Sequence, residues 1–244
     1  MRPLIKSDMP RIAMFEADRV MSVIGPYCSL CERPLRDGPE IWDTARDAII
    51  ERIGNARVDS LLMLCVNCAG WQRRTAGSQA GLLLPDWGLT FRARGDSPYR
   101  YSLERVTVRI VDDNETVEER EDDAVIVSGS TPEAIATIER FRLNTPYYDA
   151  ATKRMTIPRH DALTLADRRV VMRTEVWHDA ADLLSFAGGP ALHSLRSIIE
   201  AGGFWSVWLT LFAAVIPADD MLGRLFGLYP LSQLRGTSTR FLER

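Results

Sequence analysis

Two short cysteine pairs, Cys28-Ser29-Leu30-Cys31 and Cys65-Val66-Asn67-Cys68, constrain this chain more than any other feature. A CxxC turn points two thiolates at one centre, and two such turns supply the four soft ligands of a closed tetrahedral Zn²⁺ site. A saturated zinc has no open position for water or substrate, so the pairs predict a structural staple. The expected metal ligands are therefore Cys28, Cys31, Cys65 and Cys68.

The compartment follows from where the cysteines lie. All four fall between positions 28 and 68 of a 244-residue chain. Secreted disulfide scaffolds are smaller and denser in cysteine, and the N-terminus lacks the apolar run of a signal peptide. The chain is expected to be cytoplasmic, with no membrane partner. Its longest uncharged run, Ala201 to Ala218, holds two early glycines and a late proline, and leaves too few helical residues for a span.

A net charge of −3 excludes overall attraction to nucleic acid, so any such binding must come from a local patch. The basic residues are nearly all arginine, with lysine only at Lys6 and Lys153. A GC-rich genome produces the same skew.

Periodicity predicts an α+β chain: a cysteine module, then a β-hairpin, then a mainly helical region. A loose helix over residues 9–23 leads into the first knuckle, a short strand runs through Glu40 to Trp42, and residues 43–53 have helical apolar spacing. Helix-compatible residues follow Cys68, where a zinc ribbon would have another strand. Tyr101 to Asp112 alternates as a half-buried strand, Asp113-Asn114 turns, and Ala124 to Val127 returns. The acidic stretch Glu118 to Asp123 reads as a solvated loop. Ser130-Thr131-Pro132-Glu133 opens a helix with Ser130 as N-cap and Glu133 as capping-box partner, running to about Arg142. Tyr147 to Pro158 is extended, and helices are expected over about 160–187, 191–201, 203–215 and 218–227. The aromatic stripe Phe204, Trp205, Trp208 and Phe212 fits a core or a partner interface. The expected organisation is 1–80 (N-terminal helix and cysteine module), 81–129 (irregular segment and hairpin) and 130–244 (helical region).

The knuckle Tyr27-Cys28-Ser29-Leu30-Cys31-Glu32-Arg33-Pro34-Leu35 and the segment Ser60 to Cys68 resemble the paired knuckles of HNH nucleases. The resemblance is nearest to the HNH subunit of Septu-type and retron-associated anti-phage systems, and Glu139 to Asn144 is similar to a helix end that recurs there. It implies a ββα-metal unit, a second divalent ion such as Mg²⁺ where the site is active, and a partner ATPase docked on the aromatic C-terminal helices. In that family a His ending the first strand deprotonates water.

This sequence departs from the pattern at three positions. Ile41-Trp42-Asp43 stands where the family has an acidic residue and His, Asp59-Ser60 replaces an Asn, and Ala69 follows the last cysteine. The only histidines are His160, His178 and His193. Asp43, the candidate catalytic residue, is a poor proton acceptor at its reference pKa of about 3.9.

The expected function is a zinc-binding, catalytically impaired nuclease homologue that binds nucleic acid or acts as a scaffold in a defence complex. Arg73 and Arg74, with Arg92 and Arg94 nearby, are the candidate phosphate contacts. An active endonuclease rewired around Asp43, or around His160 or His178 folded back into the site, is one alternative. A zinc-ribbon-like interaction module is another.

Overall fold

The computed structural model describes residues 27–35, 39–52, 54–56, 60–75, 81–84, 98–112, 116–164, 167–185, 202–204, 206–208 and 210–211. The predicted helices over 9–23, 191–201 and 218–227, the turn at Asp113-Asn114, and Arg92, Arg94 and His193 lie outside them.

A three-stranded antiparallel sheet carries the cysteine module, with β1 (Glu40–Asp43) between β2 (Ala48–Ile50) and β3 (Leu61–Leu64). Helix α1 (Val66–Arg74) leaves the end of β3 through Cys65. Trp42 pairs with Ile49 on one side and Leu62 on the other, which buries it completely.

Of the predicted helix over 43–53, the described residues 43–52 are not helical. The Asp43 carboxylate accepts from the Ala45 N–H at 3.0 Å, and Asp47 takes φ 51°, so the chain turns and returns as β2. The apolar spacing that suggested a helix instead places Ile49 and Ile50 beside Trp42 and Ile41.

The second sheet has the order β5-β4-β7-β6. Its long hairpin, β4 (Tyr99–Val111) with β5 (Thr116–Gly129), absorbs the acidic stretch expected to be a loop. Arg105 faces Asp123 at 3.2 Å, the Thr107 hydroxyl donates to Glu121 at 2.7 Å, and Arg109 faces Glu119. Such cross-strand pairs make a charged strand tolerable. Two short strands, β6 (Tyr148–Asp149) and β7 (Arg154–Pro158), complete the sheet, β7 running parallel to β4.

Helix α2 (Pro132–Arg140) begins one residue later than expected: Thr131 is its N-cap, its hydroxyl accepting from the Ala134 N–H. The predicted helix over 160–187 is two helices, α3 (Arg159–Thr164) and α4 (Arg169–Ser185).

The exposed edge of β5 is closed by side chains rather than by another strand. Asn144 acts as a one-residue strand partner for Val127, accepting from its N–H at 2.9 Å and donating to its carbonyl at 2.7 Å. Thr174 accepts from the Val125 N–H, and Arg173 donates to the Val125 carbonyl. Satisfying these backbone groups blocks edge-to-edge association.

One hydrophobic cluster joins the cysteine module to the hairpin and α2. It contains all four cysteines, Trp42 and Leu64 together with Tyr99, Val127, Phe141 and Leu143. No helix among the described residues is long and apolar enough to cross a membrane.

Candidate metal centre and its surroundings

The four thiols converge in the core. Cys28, Cys31, Cys65 and Cys68 are all buried, and their sulfurs lie within 4.8 Å of one another. A tetrahedral ion with metal–sulfur bonds of about 2.3 Å would set its sulfurs roughly 3.8 Å apart. The Cys31 and Cys65 sulfurs are 3.7 Å apart, close to that edge and far too long for a disulfide. The four donors thus fit a metal ion such as zinc.

Both knuckles are braced before any metal is considered. The Ser29 N–H donates to the Met63 carbonyl at 2.7 Å, and the Met63 N–H returns a bond to the Ser29 hydroxyl at 3.0 Å. Arg33 reaches from the first knuckle to Asn67 in the second at 3.2 Å. Each CxxC turn closes on itself through Glu32 N–H to the Cys28 carbonyl and Ala69 N–H to the Cys65 carbonyl.

The thiols are electrostatically uneven. Burial pushes the Cys31 thiol well up, and hydrogen bonding with its three neighbours raises Cys68. Hydrogen bonds from Cys28, Cys31 and Cys68 pull Cys65 far down, so the cluster favours a thiolate there.

A second layer surrounds the thiols. Arg169, wholly buried at the start of α4, directs Nη1 at Cys68 Sγ (3.5 Å) and at the Phe141 carbonyl (2.9 Å). Its Nη2 donates to the Arg142 carbonyl, and Nε and Nη2 grip Asp167 at 2.9 and 2.7 Å. Burial opposes the Arg169 charge, but Cys68, Asp167 and Cys31 outweigh it and hold the guanidinium firmly protonated. Arg173, one turn on, spends its donors on the neutral acceptors Val125 O, Leu143 O and Asn144 Oδ1, and burial pulls its pKa down.

Glu32 fastens the opposite side. Its carboxylate accepts from the Ser206 N–H at 2.9 Å and the Ser206 hydroxyl at 2.5 Å, and its carbonyl accepts from the Phe204 N–H. Phe204 and Trp208 of the aromatic stripe are buried there beside Val207, so these two serve as core and not as an exposed docking face. Trp205 and Phe212 lie outside the described residues.

Asp43, the candidate catalytic residue, ends β1 and is buried. Its carboxylate is spent on the turn: the Ala45 N–H, the Ser60 hydroxyl at 3.3 Å and the Arg46 guanidinium at 3.3 Å. Asp47 receives the Trp42 indole N–H at 3.2 Å and the Gln72 amide at 2.9 Å.

No family model matches the chain, and neither a curated protein nor a solved structure is similar to it. The site must be interpreted from its own chemistry.

Neither described histidine joins the cysteine module. His160 is exposed and pairs with Asp161 at 2.9 Å, and Asp161 also receives the Tyr147 hydroxyl. His178 lines a cavity of about 240 Å³ floored by Val106, Val108, Met155 and Val170. Arg73 pairs with Glu40, whereas Arg74 lies over the Trp71 ring.

The sequence reading missed Arg169, Arg173, Asn144 and Glu32. Only the Glu139 to Asn144 segment carried a signal, and its last four residues form the turn where Arg169, Arg173 and Val127 meet.

Proposed function

We propose that this chain is an HNH-derived protein in which the four cysteines hold a structural zinc and which binds nucleic acid without cutting it, as a subunit of an anti-phage defence complex. The single observation that carries the reading is the fate of Asp43. In an HNH unit, the group ending the first strand must face solvent and substrate to activate water. Here that group is buried and committed to Ala45, Ser60 and Arg46. A buried carboxylate with three of its roughly four acceptor positions taken by the turn is badly placed to activate water on a substrate.

The local order supports the ancestry. Two antiparallel strands, β1 and β3, are followed at once by α1, with a CxxC pair at the strand-to-helix step. A ribbon would continue as a strand at that point. The defence complex and its ATPase partner rest on the resemblance of the knuckles alone.

Purified protein with Mg²⁺, Mn²⁺ or Ni²⁺ should leave plasmid and single-stranded DNA intact while still retarding DNA at low salt. Metal-dependent cutting that Asp43→Ala abolishes would overturn the loss of catalysis. Failure to bind DNA or RNA at low salt would overturn the nucleic-acid reading.

A further inference from the structure

Two arginines from different elements meet on one aromatic ring. Trp71, half-buried on α1, packs at the margin of the core cluster. The Arg74 guanidinium lies 5.0 Å from its ring centroid, and that of Arg142, just past the end of α2, lies 5.8 Å from it. Both arginines are exposed, and neither has an ion-pair partner among the described residues. By contrast, Arg46, Arg73, Arg105 and Arg120 each face a carboxylate.

The backbone makes Arg142 the more informative of the two. It takes φ 48° at the position after the α2 C-cap, where glycine is the cheapest residue. An arginine there gains nothing for the turn itself. The turn does place its carbonyl on Arg169 and its side chain over Trp71. Arg140 locks the two helix ends together, donating to the Thr75 hydroxyl at 3.2 Å and to Gln72 at 3.3 Å.

A guanidinium stacked on a tryptophan keeps its in-plane donors facing outward and loses less side-chain freedom on binding. Two such groups on one ring suit the phosphates of a nucleic-acid backbone, which take bidentate guanidinium bonds. We propose that Arg74 and Arg142, held on Trp71, form a phosphate clamp that grips a nucleic-acid backbone without reading its bases. The proposal rests on the nucleic-acid reading above and shifts its weight from Arg73, which is paired with Glu40, to Arg142, which the sequence did not single out.

The test is fluorescence anisotropy with a labelled 20-mer, as duplex and as single strand, between 50 and 200 mM NaCl. Arg74→Gln and Arg142→Gln should each weaken binding about tenfold at the low-salt end. Each should also lower the slope of log K against log salt by about one, since one phosphate contact is lost. The loss of slope should be about 0.9 per contact on the duplex and about 0.7 on the single strand, and the form bound more tightly is the preferred one. Trp71→Leu, which keeps both charges, should weaken binding several-fold by releasing the arginines. Arg105→Gln on the hairpin should change nothing, and thermal unfolding checks that every variant is folded.

If the wild type binds and the double variant Arg74→Gln/Arg142→Gln binds with the same affinity and slope, the clamp is wrong and the nucleic-acid reading stands. Strong preference for one sequence over a scrambled one also overturns the clamp. If the wild type binds no nucleic acid at 50 mM NaCl, both fall.

Discussion

Arg169 and Cys68, 101 positions apart, lie in contact in the core, with Nη1 3.5 Å from Sγ. A divalent ion on four thiolates carries a net charge of about −2, and burying such a centre demands a compensating cation. Arg169 supplies one while its other donors hold the turn after α2. Metal binding and the docking of α4 are therefore linked, each favouring the other.

Arg169→Gln should weaken zinc binding by about 10–100-fold, the range for residues that support metal ligands, as read by competition with a chromophoric chelator. It also leaves Asp167 buried without its cation, at a cost of about 3–5 kcal/mol in chemical denaturation. Cobalt substitution separates the two effects: the thiolate-to-metal absorption band should shift in the variant. An unchanged band with unchanged affinity would reduce Arg169 to a packing residue.

The metal site should also be strongly pH-dependent. Without metal, burial holds a proton on Cys31, and hydrogen bonding with Cys28, Cys31 and Cys65 holds one on Cys68. At least these two protons must leave as the ion enters, so affinity should fall by about 100-fold or more per unit drop in pH through the neutral range. The metal-free fold changes sense near the unfolded thiol value of about 8.5. Below it the depressed Cys65 decides, because the unfolded chain binds a proton that the folded thiolate does not, and stability falls as pH falls. Above it the raised Cys31 and Cys68 decide, and stability is lost as pH rises. Thermal melts of the chelated protein should pass through a maximum at about pH 8.5, and a trend that runs one way throughout would contradict this.

What could be read from sequence was what short-range physics decides. The alternation of Val106, Val108 and Ile110 gave β4, the run into Thr131-Pro132 gave α2 to within a residue, and the CxxC spacing gave the cluster of thiols. Residues 43–53 misled because Ala45, Ile49 and Ile50 suit a helix, while the turn made by Asp43 and Asp47 and the pairing of Ile49 with Trp42 decide otherwise. The acidic stretch misled because its partners, Arg105, Thr107 and Arg109, lie on the other strand. Arg169 and Glu32 were invisible for a simpler reason. Their partners Cys68 and Ser206 are 101 and 174 positions away, and no local pattern announces such a contact.

The bond between Glu32 and Ser206 predicts how the C-terminal part is attached. Gly203, with φ 69°, brings Phe204 onto the Glu32 carbonyl, and a Cβ there would stand 2.6 Å from that oxygen and 2.7 Å from Pro34. Both neighbours are braced by the first knuckle, so neither can yield cheaply. Gly203→Ala should release residues 202–211, seen as new protease cleavage there while β4 and β5 stay protected. Glu32→Ala should act similarly by removing the carboxylate that accepts from the Ser206 N–H and hydroxyl, at about 1–3 kcal/mol. Intact resistance to protease in both variants would show that the buried aromatic side chains suffice.

Alkaline pH should weaken the junction between hairpin and α2. The Tyr99 hydroxyl donates to the Leu83 carbonyl at 2.5 Å, and burial pushes its pKa up to about 12, while burial and the charge of Glu32 also raise Tyr101. An unfolded tyrosine ionises near 10. The fold therefore favours the neutral phenol, and this contribution is complete below pH 10 and lost between about 10 and 12. A rise of about two pH units corresponds to roughly 2–3 kcal/mol at the top of that window. Tyr99→Phe should cost about 1 kcal/mol at neutral pH for the lost hydrogen bond and flatten the decline in stability above pH 10. Denaturant unfolding at pH 8, 10 and 11, followed with tyrosinate absorbance, measures both effects. An equally steep decline in the phenylalanine variant would assign the alkaline sensitivity to Tyr101 instead.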